Sequence, residues 1–204
     1  GGSGNSTAFE VVLLHATWFQ VRCSGRQPLL AHGAAVVAPE LGSRAWLIVG
    51  STGAGKSTLT TGLCRSGMAC LSDEVLVLEG GEVYAYPRAI ALRERPREPH
   101  STYTSGNGET KFLLSPTALH SPPAPRQARI SGLVFLEPYG ESFQMTPLPS
   151  AKAAQLLLGH MYSGRNDPAG LLLELARLCA PLRCFRVRPG TPAETVAQLR
   201  VLIR

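Results

Sequence analysis

An octapeptide, Gly50-Ser51-Thr52-Gly53-Ala54-Gly55-Lys56-Ser57, constrains this chain more than any other feature. It satisfies the pattern G-x-x-x-x-G-K-[ST], in which glycines let the backbone curl until successive N–H groups face phosphate oxygens. The flanking sequence suits it. Ala45–Val49 is short and continuously apolar, as a strand buried on both faces should be. Lys56–Arg65 has helix character and ends at Ser66-Gly67, a natural C-terminal stop. A helix N-terminus adds unpaired donors and a favourable dipole for an anion. The pattern therefore assigns Gly50, Ser51, Thr52, Gly53, Ala54, Gly55, Lys56, Ser57 and Thr58 to a nucleoside triphosphate, ATP first. Lys56 is expected at the β and γ phosphates and Ser57 on Mg²⁺.

The loop does not name a reaction, because ATPases, GTPases and kinases share it. Ser72-Asp73-Glu74 follows the apolar run Met68–Leu71. Carboxylates at the end of a strand beside a phosphate loop can reach the γ-phosphate and its metal. One can take a proton from an attacking hydroxyl while another steadies Mg²⁺ through water. A solvated acidic turn is the bland alternative.

Composition sets outer bounds. The 204 residues suit one domain, here residues 5–204, with Gly1–Gly4 set aside as an expression scar. The net charge of +6 comes from scattered arginines and only three lysines, Lys56, Lys111 and Lys152. Without a basic block, nucleic acid is disfavoured as a partner. No apolar run approaches the roughly 18 residues of a membrane span, so a cytoplasmic protein without a membrane partner is the expectation. Five cysteines without C-x-x-C spacing read as reduced, mostly buried thiols.

Along the chain, strands are expected at Glu10–Leu14, Trp18–Cys23, Leu29–Ala38, Val75–Leu78, Glu82–Tyr86, Ile130–Leu136, Ser142–Leu148 and Leu182–Val187. Glu79-Gly80-Gly81 reads as a hairpin turn. Helices are expected at Ala151–Leu158 with Ser150 as cap, at Pro168–Leu178 with Asp167 as cap, and at Thr191–Ile203. From Arg93 to Gln127 prolines and a Ser105–Gly108 loop suggest irregular chain, with Pro96–Gly108 a lid, a docking loop or disorder. Glu94 and Lys111 read as solvated loop charges, with metal-side and phosphate-side roles as the sharper alternatives.

The stretch from His32 to Glu74 resembles the catalytic domain of the HPr kinase/phosphorylase family and its shorter relatives. The resemblance rests on His32-Gly33 before an apolar strand, the glycine loop, a short helix ending at Gly67, and Leu71-Ser72-Asp73-Glu74. It implies an α/β fold similar to that of phosphoenolpyruvate carboxykinase, a P-loop core with a mixed sheet and strand-rich additions in the N-terminal part. It implies Asp73 as the catalytic base, Glu74 as the second acid, and His32 beside the phosphates. Glu74 stands where the family has a second Asp, and Ala91–Pro96 lacks the family's glycine-rich signature. Relatives without that signature include kinases encoded beside lasso-peptide and other peptide-maturation genes. The resemblance implies that these phosphorylate a serine of a precursor peptide. HPr kinases form hexamers, which leaves a homo-oligomer open here.

Three readings follow: a kinase of a peptide or small-protein serine, a kinase of a small-molecule hydroxyl, or an ATPase-coupled module. A GTPase lacks support because no Asn-Lys-x-Asp motif occurs. An ABC-type motor would need a Leu-Ser-Gly-Gly-Gln-like signature; Leu78–Glu82 lies too near the loop and reads as a turn.

Overall fold

The computed structural model describes residues 28–42, 44–86, 88–104, 108–162 and 167–203. The expected strands Glu10–Leu14 and Trp18–Cys23, Gly1–Gly4, Pro87 and most of the Ser105–Gly108 loop lie outside them.

Among these residues the chain runs β1 (Leu29–Val37), β2 (Arg44–Gly50), α1 (Lys56–Arg65), β3 (Ala69–Glu79), β4 (Glu82–Tyr84), β5 (Ile90–Leu92), β6 (Ser101–Thr104), β7 (Thr110–Leu114), β8 (Gln127–Leu136), β9 (Gln144–Pro147), α2 (Ser150–Leu158), α3 (Pro168–Cys179), β10 (Arg183–Arg188) and α4 (Pro192–Ile203). The class is mixed α/β. A seven-stranded mixed sheet holds β1, β2, β3, β4, β8, β9 and β10, and β5, β6 and β7 form a small antiparallel sheet.

In the large sheet β2 is antiparallel to β1 and parallel to β8, and β8 is parallel to β10. On the other side β1 pairs antiparallel with β3. The order β3-β1-β2-β8-β10 therefore puts the glycine loop, at the end of β2, between β3 and β8. Strand β4 joins β3 to the start of β8.

Alternation along β2 explains the layers. Ala45, Leu47 and Val49 face a core closed by Ala153, Leu157, Leu175 and Cys179 of α2 and α3. Trp46 and Ile48 face the other core, with Leu59 and Leu63 of α1 and Leu199 and Leu202 of α4. Successive side chains of a strand point to opposite faces, so a continuous apolar run is what two covering layers require. Fully buried side chains such as Leu47 and Leu133 each contribute about 1.5–3 kcal/mol.

Several expectations need correction. Ser72-Asp73-Glu74 is not a turn: β3 runs unbroken from Ala69 to Glu79. Ala34 pairs with Asp73 and Gly33 with Glu74, so β1 carries the ladder through the polar triplet. The strand absorbs it through irregularity, with Leu71 as an extra residue opposite the Ala35–Val36 step and Glu74 at φ 93°. The Ser72 hydroxyl donates to the Val75 carbonyl across the distortion. The span from Arg93 to Gln127 is not irregular throughout: it holds β6, β7 and a 3₁₀ turn at Pro116–Leu119, and β7 pairs with both β5 and β6. Ser150 is the first residue of α2 rather than its cap, which is Pro149. The strands expected at Ser142–Leu148 and Glu82–Tyr86 shorten to Gln144–Pro147 and Glu82–Tyr84. The Asp167 carboxylate does accept from the Gly170 N–H, and Thr191 Oγ1 accepts from the Glu194 N–H. Gly80 and Gly81 make the hairpin turn, both with positive φ.

Candidate functional site

The loop and the first turn of α1 are built as the sequence requires. Gly53 and Gly55 sit at φ 85° and 90°, values that a side chain disfavours. Gly55 occupies the N-cap of α1, and having no side chain it leaves the first-turn donors uncapped. Ser51, Thr52, Gly53 and Thr58 are exposed and Ala54 is buried. Lys56 is buried, and its Nζ donates to the carbonyls of Gly50 at 2.8 Å and Ser51 at 3.0 Å. Burial lowers its pKa, against the opposing pull of Glu74 and Asp73.

Asp73 comes to the same place from β3. It is 2% exposed, and Ser57 Oγ lies 3.0 Å from its Oδ2 and 3.3 Å from its Oδ1. Tyr86 donates its N–H to the Leu71 carbonyl, so the chain after β4 returns alongside β3. That return delivers a backbone hydrogen bond from Ala91 and the charge of Arg88 to Asp73. Burial dominates all the same. It pushes the carboxyl up to about 6, helped by the charge of Glu74 and opposed by the Ser57, Ala91 and Arg88 interactions.

The sequence-expected acids part company here. Glu74 Oε1 lies 3.4 Å from His32 Nδ1, while its charge also acts on Lys56 and on Asp73. Burial and the nearby Lys56 outweigh the carboxylate and keep the His32 pKa below its ordinary value, so the pair is a polar contact rather than an ion pair at neutral pH. Tyr162 completes the cluster: its hydroxyl donates to the Glu74 carbonyl at 3.1 Å and lies 3.2 Å from His32 Nδ1. It reaches this position because β2 pairs only with Ala34–Val37. The strip His160–Tyr162 takes the vacated edge of β1, with His32 N–H donating to the His160 carbonyl and Tyr162 N–H to the Leu30 carbonyl.

Two further neighbours of the loop were not anticipated. Arg93 lies beside Gly53, where a β-carbon would come 3.4 Å from its guanidinium, and Arg93 also pairs with Glu109 at 2.8 Å. Tyr139 lies against Gly55. Their only advance signals were Arg93 in the stretch Ala91–Pro96 and the Pro138-Tyr139-Gly140 turn; nothing in spacing tied either to the loop. Glu94 is exposed, and Lys111 lies over the Tyr103 ring at 5.8 Å from its centroid. A cleft of about 1000 Å³ lined by Arg44, Arg129, Arg183 and Glu174 opens at the start of β2, the end remote from Gly50. It is separate from this cluster.

The donor set suits magnesium. That ion keeps much of its water and binds through one or two carboxylates together with phosphates. A hydroxyl and a carboxylate 3.0 Å apart beside the glycine loop would suit such partial ligation. Among the described residues no group of three or more His, Cys, Asp or Glu side chains forms a closed cage. Cys64, Cys70, Cys179 and Cys184 are free thiols. No helix among the described residues is long and apolar enough to cross a membrane.

No protein-family model matches the chain, and no curated protein does. Among solved structures it is similar to the HPr(Ser) kinase/phosphatase from Coxiella burnetii, at 14% identity and a TM-score of 0.36, over 85% of this chain and 96% of that one. A likeness of that size carries no weight for fold or chemistry, which rest on the residues themselves.

Proposed function

We propose that this chain is an ATP-dependent kinase that moves the γ-phosphoryl group onto a serine hydroxyl of a peptide or small protein. The approach of Ser57 to Asp73, 3.0 Å, supports the reading above all. It sets a buried carboxylate beside the residue that the loop pattern gives to the metal. A P-loop alone would serve any nucleotide user; a titratable acid at its mouth suits proton transfer.

In this reading the amides from Gly50 to Thr58 hold the phosphates and Lys56 spreads the charge of the β and γ groups. The acceptor oxygen attacks the γ-phosphorus and its proton passes to Asp73. The bond from phosphorus to the β–γ bridging oxygen breaks, and ADP leaves with that oxygen. Magnesium would neutralise charge on the phosphates, held by Ser57 and Asp73, with Glu74 as the second acid close by. His32 stands next to the phosphates in this reading, with Glu74 and Tyr162 fixing its ring through Nδ1. Residues 5–204 form one catalytic domain in this reading, working in the cytoplasm where ATP is supplied.

The test is incubation with Mg²⁺ and ATP in the presence of serine-bearing peptides and small hydroxylic metabolites, followed by mass spectrometry. Phosphoserine on a peptide supports the proposal. Transfer only to a small molecule would move the acceptor class, and rapid ATP hydrolysis indifferent to every acceptor would overturn the kinase reading.

A further inference from the structure

An exposed aromatic ring beside the loop has no part in the chemistry above. Tyr139 keeps 45% of its surface in solvent and is the aromatic member of the exposed large hydrophobics among the described residues. A β-carbon at Gly55 would come 2.6 Å from its hydroxyl and 2.7 Å from Cε2, so the ring edge rests on the start of α1. The turn that carries it is fixed on both sides. Glu137 donates its N–H to the Val187 carbonyl and Gly140 to the Pro189 carbonyl, each at 2.8 Å. Arg188 packs against Gly140, where a β-carbon would meet its Cδ at 2.6 Å, and its guanidinium lies 3.4 Å from Glu137. The backbone is pinned while the ring stays open to solvent, an arrangement that lowers the ordering cost of a partner.

Topology places this ring opposite the acid. Tyr139 follows β8, on one side of β2, and Asp73 belongs to β3, two strands away on the other side. Counted along the sheet through β2 and β1, three strand spacings separate β8 from β3, at most roughly 14 Å. A triphosphate chain along the loop can therefore put its γ end near Asp73 and its nucleoside end near Tyr139.

We propose that Tyr139 is the stacking platform for the nucleoside end of the nucleotide. The inference rests on reading the loop as a nucleotide site and adds the element that holds the base. Base–aromatic stacking tolerates any base, because every base has a π-face. The platform thus sets affinity and alignment without choosing between ATP and GTP.

Calorimetric titration of wild type, Tyr139→Ala, Tyr139→Leu and Tyr139→Phe tests it, using ATP, GTP and inorganic tripolyphosphate with Mg²⁺. Tyr139→Ala and Tyr139→Leu are expected to weaken both nucleotides roughly tenfold or more while leaving tripolyphosphate unchanged, and Tyr139→Phe to bind like wild type. The two truncations guard against one failing to fold. Nucleotide binding unaffected by either, or tripolyphosphate binding lost in step with ATP, would overturn the platform. Wild type that binds neither ATP nor tripolyphosphate would instead overturn the nucleotide reading itself.

Discussion

The hydroxyl of Ser57 and the carboxylate of Asp73 meet at 3.0 Å, tying the first turn of α1 to the middle of β3. The residues lie 16 positions apart, one on a helix and the other on the strand that follows it. A hydroxyl bonded to the ionised acid favours the charged form, yet burial outweighs it and holds the carboxyl at about 6. The acid therefore titrates close to neutrality, where a general base is useful.

That value fixes a pH dependence. Asp73 serves as a base only when ionised, so kcat/KM for phosphoryl transfer is expected to rise with pH and level off above an apparent pKa near 6. Initial rates at subsaturating ATP across the acid range measure it. A profile flat through this region would remove Asp73 as the titrating group.

Stability should move the other way. The folded pKa, about 6, lies above the ordinary value of 3.8, so the folded state binds the proton more tightly than the unfolded one. The cost of ionising Asp73 is absent below the unfolded pKa, grows as pH rises, and is complete above the folded pKa. Asp73→Asn is expected to stabilise the fold by on the order of 2–3 kcal/mol well above pH 6 and by little below the unfolded value. Urea denaturation of both proteins at the two pH extremes measures the difference.

Gly33 offers a packing test. It pairs with Glu74, and a β-carbon would come 2.8 Å from the Ile48 carbonyl oxygen and 2.8 Å from Leu76 Cδ1. Backbone cannot yield as a flexible side chain does, so Gly33→Ala is expected to cost about 1–3 kcal/mol in denaturant unfolding. Wild-type stability in that variant would show that β1 and β2 are less tightly apposed than described.

Glu74 carries backbone strain. Its φ of 93° is unfavourable for any residue with a side chain, and the Tyr162 hydroxyl on its carbonyl helps hold it. Glu74→Gly is expected to raise stability by about 1 kcal/mol while lowering phosphoryl transfer, because the carboxylate facing His32 is lost. Thermal unfolding and transfer rates measured together separate the two effects.

The strand, loop and first helix were legible in the sequence because their signals are local: an apolar run, glycines at fixed offsets, and a helix ending in Gly67. The Asp167 and Thr191 caps were legible for the same reason. The continuity of β3 was not, because a Ser-Asp-Glu triplet reads as a turn and only its pairing with β1 shows otherwise. The small sheet was hidden by Pro96, Pro99 and Pro116, which punctuate strands of three to five residues, and by the pairing of β5 with β7, which passes over β6. Asp73 and His32 could be nominated from the motif order, but their surroundings could not. Tyr162 meets His32 across 130 positions, and Tyr139 and Arg93 reach the loop through folds of the chain that no spacing rule encodes.

The central claim concerns Asp73 acting on a nucleotide held by the loop, and Asp73→Asn tests it most directly. ATP affinity by calorimetry and phosphate transfer by mass spectrometry are to be measured on the same preparation beside wild type. The account requires that the variant bind ATP as well as wild type and transfer at least a hundredfold more slowly, in line with the usual size of a general-base contribution. Transfer at the wild-type rate, with affinity intact, would contradict it.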